Sequence, residues 1–192
     1  MGLDDPSRLE VFVHVLAQHY LMSPLYRRYV RSLPLRGDER VLDFGAGSGA
    51  LTGHLARSLD RGGHVVWLDV AEPWRDAARR KLKRFNNVEY VLGDVREADL
   101  PDASCDAAVV HYVLHDLAAE DRQPIVTALA AKLKPEGRLF IQEPTKDSHG
   151  MPASEIRRLM VAAGLRERSL TESKPFLLTP CCDAVFAKPL RE

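Results

Sequence analysis

Val41-Leu42-Asp43-Phe44-Gly45-Ala46-Gly47-Ser48-Gly49-Ala50 is the stretch whose reading decides the fold. Apolar residues surround a single acid, and three glycines follow at alternate positions. This reads as a buried strand that ends in an acid and runs into a glycine-rich turn. A helix, Ser48 to Leu59, follows at once. Glycine lets the backbone take positive φ and lets a ligand approach with no Cβ in the way. The turn delivers the chain to a helix N-terminus, where N–H groups lack intrahelical partners and partial positive charge gathers. The combination is a nucleotide-type pocket.

Outward from this turn, strands and helices alternate. Arg40 to Phe44 is the first strand. His64 to Asp69 is the second, nearly continuous in apolar residues and again ending in an acid. Val88 to Leu92, Asp106 to His111 and Arg138 to Gln142 follow as three more. Helices are expected at Pro73 to Arg84, Ala118 to Leu133 (stopped by Lys134-Pro135-Glu136-Gly137) and Pro152 to Ala163. Two β-prone runs, Leu165 to Leu170 and Phe176 to Phe186, are expected to pair as a hairpin at the sheet edge. Alternation of this kind means a parallel sheet with right-handed crossovers, covered on both faces. Two helices precede the sheet. Leu9 to Tyr20 shows a helical apolar stripe, and Ser23-Pro24 reads as an N-cap followed by proline at the first helical position. These helices divide the chain into a helical cap, residues 1–35, and a sheet domain, residues 36–192. These helices, with Tyr20, Tyr26 and Tyr29 and the arginines at 27, 28 and 31, read as a packed helical flap with a solvated basic face or as a lid whose aromatic residues line a substrate pocket. Arg75, Arg79, Arg80, Lys81, Lys83 and Arg84 read as a solvated face.

The bulk composition narrows the partners. The chain has 192 residues, with 27 Lys+Arg against 27 Asp+Glu, so its formal net charge is zero. A balanced chain exerts no long-range pull on nucleic acid or on an anionic membrane. The three cysteines, Cys105, Cys181 and Cys182, follow neither a disulfide framework nor a metal-ligand spacing. No metal is expected. No apolar run reaches membrane-spanning length, and no secretory h-region opens the sequence. The expected compartment is the cytoplasm.

Gly45-x-Gly47-x-x-Ala50 satisfies a loose dinucleotide fingerprint, and Asp69 lies where a ribose-binding acid is expected. Those features suit NAD and S-adenosylmethionine equally. Asp43 separates them. A dinucleotide puts a doubly charged pyrophosphate over this turn, and a carboxylate there would repel it. S-adenosylmethionine carries no phosphate; it has an ammonium group and a sulfonium, both positive. An acid at Asp43 favours the cationic cofactor.

Residues 41–49 thus resemble the first motif of the class I S-adenosylmethionine-dependent methyltransferases. Val65 to Asp69 is similar to that family's ribose-binding strand. Gly93-Asp94-Val95 falls where the family contacts adenine, and Asp106 to Asp116 resembles the fourth strand and the segment after it. The resemblance implies an α/β, Rossmann-like, doubly wound, seven-stranded and mostly parallel sheet. It also implies a C-terminal antiparallel hairpin beneath an N-terminal helical cap. Cofactor-binding candidates are Asp43, Gly45, Ala46, Gly47, Gly49, Asp69, Val70, Asp94, Val95 and, through its backbone carbonyl, His111. S-adenosyl-L-homocysteine would be the product. His115 and Glu143 are the candidate catalytic residues on the acceptor side. Trp67 reads as core, whereas Trp74 either stacks on the adenine edge or covers the sheet.

The expected activity is methyl transfer to a small-molecule acceptor, which could be a metabolite, a quinone-like phenol or a lipid. A non-catalytic S-adenosylmethionine-binding module and an NAD-dependent oxidoreductase are the alternatives. The oligomeric state is left open.

Overall fold

The computed structural model describes residues 22–146, 150–173 and 180–190. The expected helix Leu9 to Tyr20 and the first residues of the run from Phe176 lie outside that range. Seven strands form one sheet in the order β3-β2-β1-β4-β5-β7-β6. The chain divides into two compact units, residues 1–99 and 100–192.

The first unit carries helix α1 (Ser23–Ser32), strand β1 (Arg40–Phe44), helix α2 (Ala50–Ser58), strand β2 (His64–Asp69), helix α3 (Glu72–Leu82) and strand β3 (Val88–Leu92). β1 pairs in parallel with β2, and β2 with β3. Val41, Leu42, Val65, Val66 and Trp67 have no exposed surface, as two-sided burial requires. Met22 caps α1, with Ser23 and Pro24 inside the first turn. Ser23 is not the cap because its hydroxyl engages the His54 Nε2 at 3.2 Å instead. Arg27, Arg28 and Arg31 are exposed, as expected, while Tyr26 and Tyr29 are buried.

α2 starts two residues later than the sequence suggests, with Gly49 as its cap at φ +74°. A Cβ at Gly49 would lie 2.8 Å from Leu82 Cδ1, and one at Gly53 would lie 3.0 Å from Leu82 Cδ2. These two glycines, one helical turn apart, let α2 approach α3 closely. Asn87 staples the far end of the unit, its Nδ2 donating to Ala56 O at 2.9 Å and to Gly63 O at 3.2 Å. Ahead of β1, the buried Glu39 carboxylate accepts from the backbone N–H groups of Arg36 and Gly37 at 2.8 and 2.9 Å.

The second unit carries strand β4 (Cys105–His111), a short 3₁₀ turn (Leu114–Asp116), helix α4 (Ala119–Lys132), strand β5 (Leu133–Pro144), helix α5 (Ala153–Ala162), strand β6 (Arg166–Ser173) and strand β7 (Cys181–Ala187). β4 and β5 run parallel. The sequence suggests a loop at Lys134 to Gly137, but the chain is already extended there. Leu133 pairs with Cys105, and the register then shifts before Arg138 meets Ala107. Glu136 takes φ +63° inside this bulge.

β7 runs antiparallel between β5 and β6, so of the two hairpin strands only β6 lies at an edge. The sequence explains that order. Cys181, Cys182, Ala184 and Phe186 are apolar toward both faces and buried, whereas Arg166, Glu167 and Arg168 are exposed, as suits an edge. No described helix is long and apolar enough to cross a membrane.

Candidate functional site

The glycine turn is stitched to β2. The N–H groups of Gly45 and Ala46 both donate to Leu68 O, at 2.9 and 3.1 Å. The Gly47 N–H donates to Asp69 Oδ2 at 2.9 Å, and the Trp67 indole N–H donates to Gly47 O at 3.0 Å. Trp67 is core, as its sequence context suggests, but it also braces the turn. Gly45, Gly47 and Gly49 all have positive φ. A Cβ built on Gly47 meets nothing within 4 Å among the described residues, which leave the space over the turn open.

Asp43 is buried at 2 % exposure, and Thr52 Oγ1 donates to its Oδ2 at 2.6 Å. Burial pushes its pKa up to about 7; the Thr52 hydrogen bond opposes that shift and the Asp69 charge adds to it. Asp69 is itself held above the usual carboxylate range by burial, against hydrogen bonds from the backbone of Ala71, Gly47 and Val70. Two acids thus share one end of the strands, and among the described residues no cation pairs with either. An ammonium or sulfonium here would relieve their repulsion, whereas a pyrophosphate would increase it. The donor set and the open space over Gly47 fit S-adenosylmethionine.

The remaining first-unit candidates differ in character. Val70 is 42 % exposed beside Asp69 and offers an apolar surface. Val95 is buried. Asp94 is engaged by Arg96, whose Nη2 donates to Oδ2 at 2.6 Å and whose backbone N–H donates to Oδ1 at 2.8 Å. That pairing holds Asp94 below its ordinary pKa. Of the two options for Trp74, covering the sheet matches its packing against the Trp67, Ala78 and Leu82 cluster.

The second unit holds the candidates around the end of β4. His111 is pulled down to about pKa 4, chiefly by burial, and is neutral at physiological pH. Tyr112 follows it at φ +58°, a left-handed conformation unusual for an aromatic residue, and its N–H donates to Gln142 O at 2.9 Å. The Tyr112 ring lies 4.7 Å from that of His111 and edge-on to His115 at 6.4 Å. Burial first, then the neighbouring Cys181, Asp183 and Glu143, raise the Tyr112 pKa.

Glu143 has no exposed surface. Its Oε1 accepts from the N–H groups of Val113 and Leu114 at 2.8 and 2.7 Å, and its Oε2 is 2.7 Å from His115 Nδ1. This carboxylate therefore moors the 3₁₀ turn and orients His115. On its other side His115 Nε2 is 3.3 Å from Asp116 Oδ1. Burial lowers the His115 pKa, but the Glu143 hydrogen bond and charge together leave it above the ordinary value.

Sequence reasoning missed three partners. Thr52, one turn into α2, bonds the acid of β1. Ser173 and Gln142 both donate to Asp183, linking β5, β6 and β7. Glu143 carries two backbone donors that its position before Pro144 does not reveal. The i+9 separation of Asp43 and Thr52 across a strand–turn–helix unit is a usable signal; the other two depend on register.

A Rossmann-like sheet with an acid at the foot of its glycine turn defines a pocket for a cationic nucleoside. Residues 42–141 match the family model described as methyltransferase domain, and the chain belongs to that family, the class I S-adenosylmethionine-dependent methyltransferases. It is 30 % identical over 149 residues to the ubiquinone/menaquinone biosynthesis C-methyltransferase UbiE of Vibrio campbellii, covering 71 % of this chain and 57 % of that protein. The chain spans between 33 % and 59 % of the length of curated relatives it matches.

Among solved structures, it is similar to the 1,6-didemethyltoxoflavin-N1-methyltransferase of Burkholderia thailandensis with bound 1,6-didemethyltoxoflavin and S-adenosylhomocysteine. That likeness has a TM-score of 0.68 and 22 % identity, over 90 % of this chain and 79 % of that one. It is also similar to the [4+2]-cyclase SpnF, with a TM-score of 0.73 and 16 % identity, over 88 % and 81 % of the two chains. Both likenesses concern the fold. The second shows how little a fold fixes the reaction.

Proposed function

We propose that this protein transfers a methyl group from S-adenosylmethionine to a small-molecule acceptor. The observation that carries the reading is the buried Asp43 carboxylate, uncompensated among the described residues, at the foot of an open glycine turn. The bound cofactor supplies a sulfonium, already a good leaving group, from which the methyl passes by in-line attack of the acceptor. Asp43 and the adjacent turn Gly45 to Gly49, with Ala46, hold the amino acid end, Asp43 facing its ammonium. Asp69 accepts from the ribose hydroxyls with the lone pairs its backbone bonds leave free. Val70 and Val95 give apolar contact to the adenine, and Asp94 reaches its amino group. His111 offers its backbone carbonyl.

Alignment and exclusion of water supply much of the acceleration in such a transfer. A base is needed only where the acceptor must lose a proton. His115 takes that role in this reading, and Glu143, bonded to its Nδ1, is the positioning residue that sets its tautomer and tilt. The acceptor class favoured by the UbiE relationship is a quinone-like phenol. The proposed enzyme acts in the cytoplasm, without a nucleic-acid partner.

The test begins with thermal shift. Stabilisation by S-adenosylhomocysteine and not by NAD is the expected result, since a ligand that binds only the folded state raises its melting point. Stabilisation by NAD alone would sink the reading. Incubation with labelled S-adenosylmethionine and a panel of quinone-like phenols then asks for transfer. No transferred label across the panel and across cell extracts would leave a binding module. Unchanged turnover in His115→Ala would remove His115 as the base.

A further inference from the structure

The basic run of α3 is only partly a solvated face. Arg79, Arg80, Lys83 and Arg84 are exposed, but Lys81 turns inward. Its Nζ is closed off from solvent and, among the described residues, has no hydrogen-bond partner. Removal from water lowers its pKa. Buried ammonium groups are ordinarily paired, because the loss of hydration is costly.

Lys81 lines a cavity of about 330 Å³ within the first unit, walled by α1, α2 and the end of α3. The same cavity is lined by Arg57, Lys83, Arg84 and His54 and, among the described residues, by no aspartate or glutamate. Phe85 completes the wall. The Arg57 and Arg84 guanidinium carbons lie 5.6 and 5.1 Å from its ring centroid, so the same aromatic ring holds both cations beside the cavity. Like charges gathered around one cavity raise the cost of the buried ammonium further. An anion seated among them offsets it.

We propose that this cavity is an anion-binding subsite, taking the phosphate or carboxylate group of a small molecule between Lys81, Arg57 and Arg84. The cavity is larger than a lone oxyanion needs and lies at the small end of the usual ligand-pocket range. The anion is therefore one end of a larger molecule. Tyr26 lines the cavity too, from α1. The inference stands apart from methyl transfer, and its test uses no cofactor.

The probes are inorganic phosphate and malonate, titrated at constant ionic strength against the melting temperature of the full chain. A saturable rise is expected with at least one of them. The stronger response tells a phosphate from a carboxylate ligand. K81Q and R57Q should each weaken the apparent affinity at least fivefold. R80Q, which removes an exposed charge outside the cavity, should leave it unchanged. If K81Q does not fold, R57Q carries the comparison. The proposal is overturned if wild type shows no saturable response, if the cavity variants respond as wild type does, or if R80Q loses as much as they do.

Discussion

Thr52 Oγ1 donates a 2.6 Å hydrogen bond to Asp43 Oδ2, tying the first turns of α2 to the acid of β1. The bond holds a carboxylate that burial would rather keep protonated. Its pKa near 7, against an ordinary 3.8, gives the apo protein a pH-dependent stability.

Between those two values the folded chain holds a proton that the unfolded chain has released. Stability therefore falls as pH rises from about 4 to 7, with the loss complete above 7. Three pH units correspond to roughly 4 kcal/mol as a ceiling. Asp43→Asn, which keeps an acceptor for Thr52, should flatten this slope and raise the urea midpoint at pH 8. A variant whose slope matches wild type would place the pH dependence elsewhere.

The same group sets the pH dependence of cofactor binding. The ammonium of the cofactor's amino acid end prefers the ionised carboxylate, so binding releases a proton below pH 7. Affinity for S-adenosylhomocysteine should climb by up to about tenfold per unit between pH 5.5 and 7. Calorimetry in buffers of different ionisation enthalpy reads the proton directly. Asp43→Asn should bind more weakly at pH 8, by about 1–3 kcal/mol, and show no proton release.

Trp67→Phe keeps the apolar plug of the core but deletes the N–H that supports Gly47 O. The turn loses one neutral hydrogen bond, about 1 kcal/mol. S-adenosylhomocysteine affinity should fall about fivefold. Equal affinity in calorimetry would mean that the turn does not need the brace.

Glu143 holds His115 above its ordinary pKa. That raised value contributes stability fully present below pH 6.5 and lost as pH rises through the folded pKa. Glu143→Gln removes the charge and should bring the His115 pKa down below 6.5, read from its ring resonances by NMR titration. Glu143→Ala also strips the N–H groups of Val113 and Leu114 of their acceptor, and should cost about 3 kcal/mol in urea denaturation.

Gly49→Ala forces a Cβ at φ +74° against Leu82 Cδ1. It should destabilise the protein by roughly 1–3 kcal/mol in urea denaturation. Gly47→Ala meets no such neighbour and should be milder for stability. Its effect should fall on cofactor affinity.

Strand and helix identities were readable because two-sided burial writes itself as apolar runs, and turns write themselves as glycine and proline. The acid at 43, the glycines and Asp69 were readable for the same local reason. What local pattern could not supply was register. Glu143 lies 29 and 30 positions from the N–H groups it accepts, and Gln142 lies 41 from Asp183. Such pairs exist only once β4, β5 and β7 are aligned. The basic run of α3 misled in a different way. Periodicity places Lys81 on a polar stripe, but the small residues Gly49 and Gly53 let α2 approach α3 closely there, and the lysine ends beneath the surface.

The order β5-β7-β6 has a consequence for how the chain is made. A ribosome produces β6 before β7, yet β6 touches the sheet only through β7. Until Cys181 to Ala187 has emerged, β6 has its contacts with α5, such as Arg157 to Glu167, but no strand to pair with, and the buried edge of β5, with Phe140 and Ile141, stands open. The second unit therefore cannot close progressively during synthesis. Its nascent form presents an unpaired apolar edge to whatever chaperone or sister chain is near.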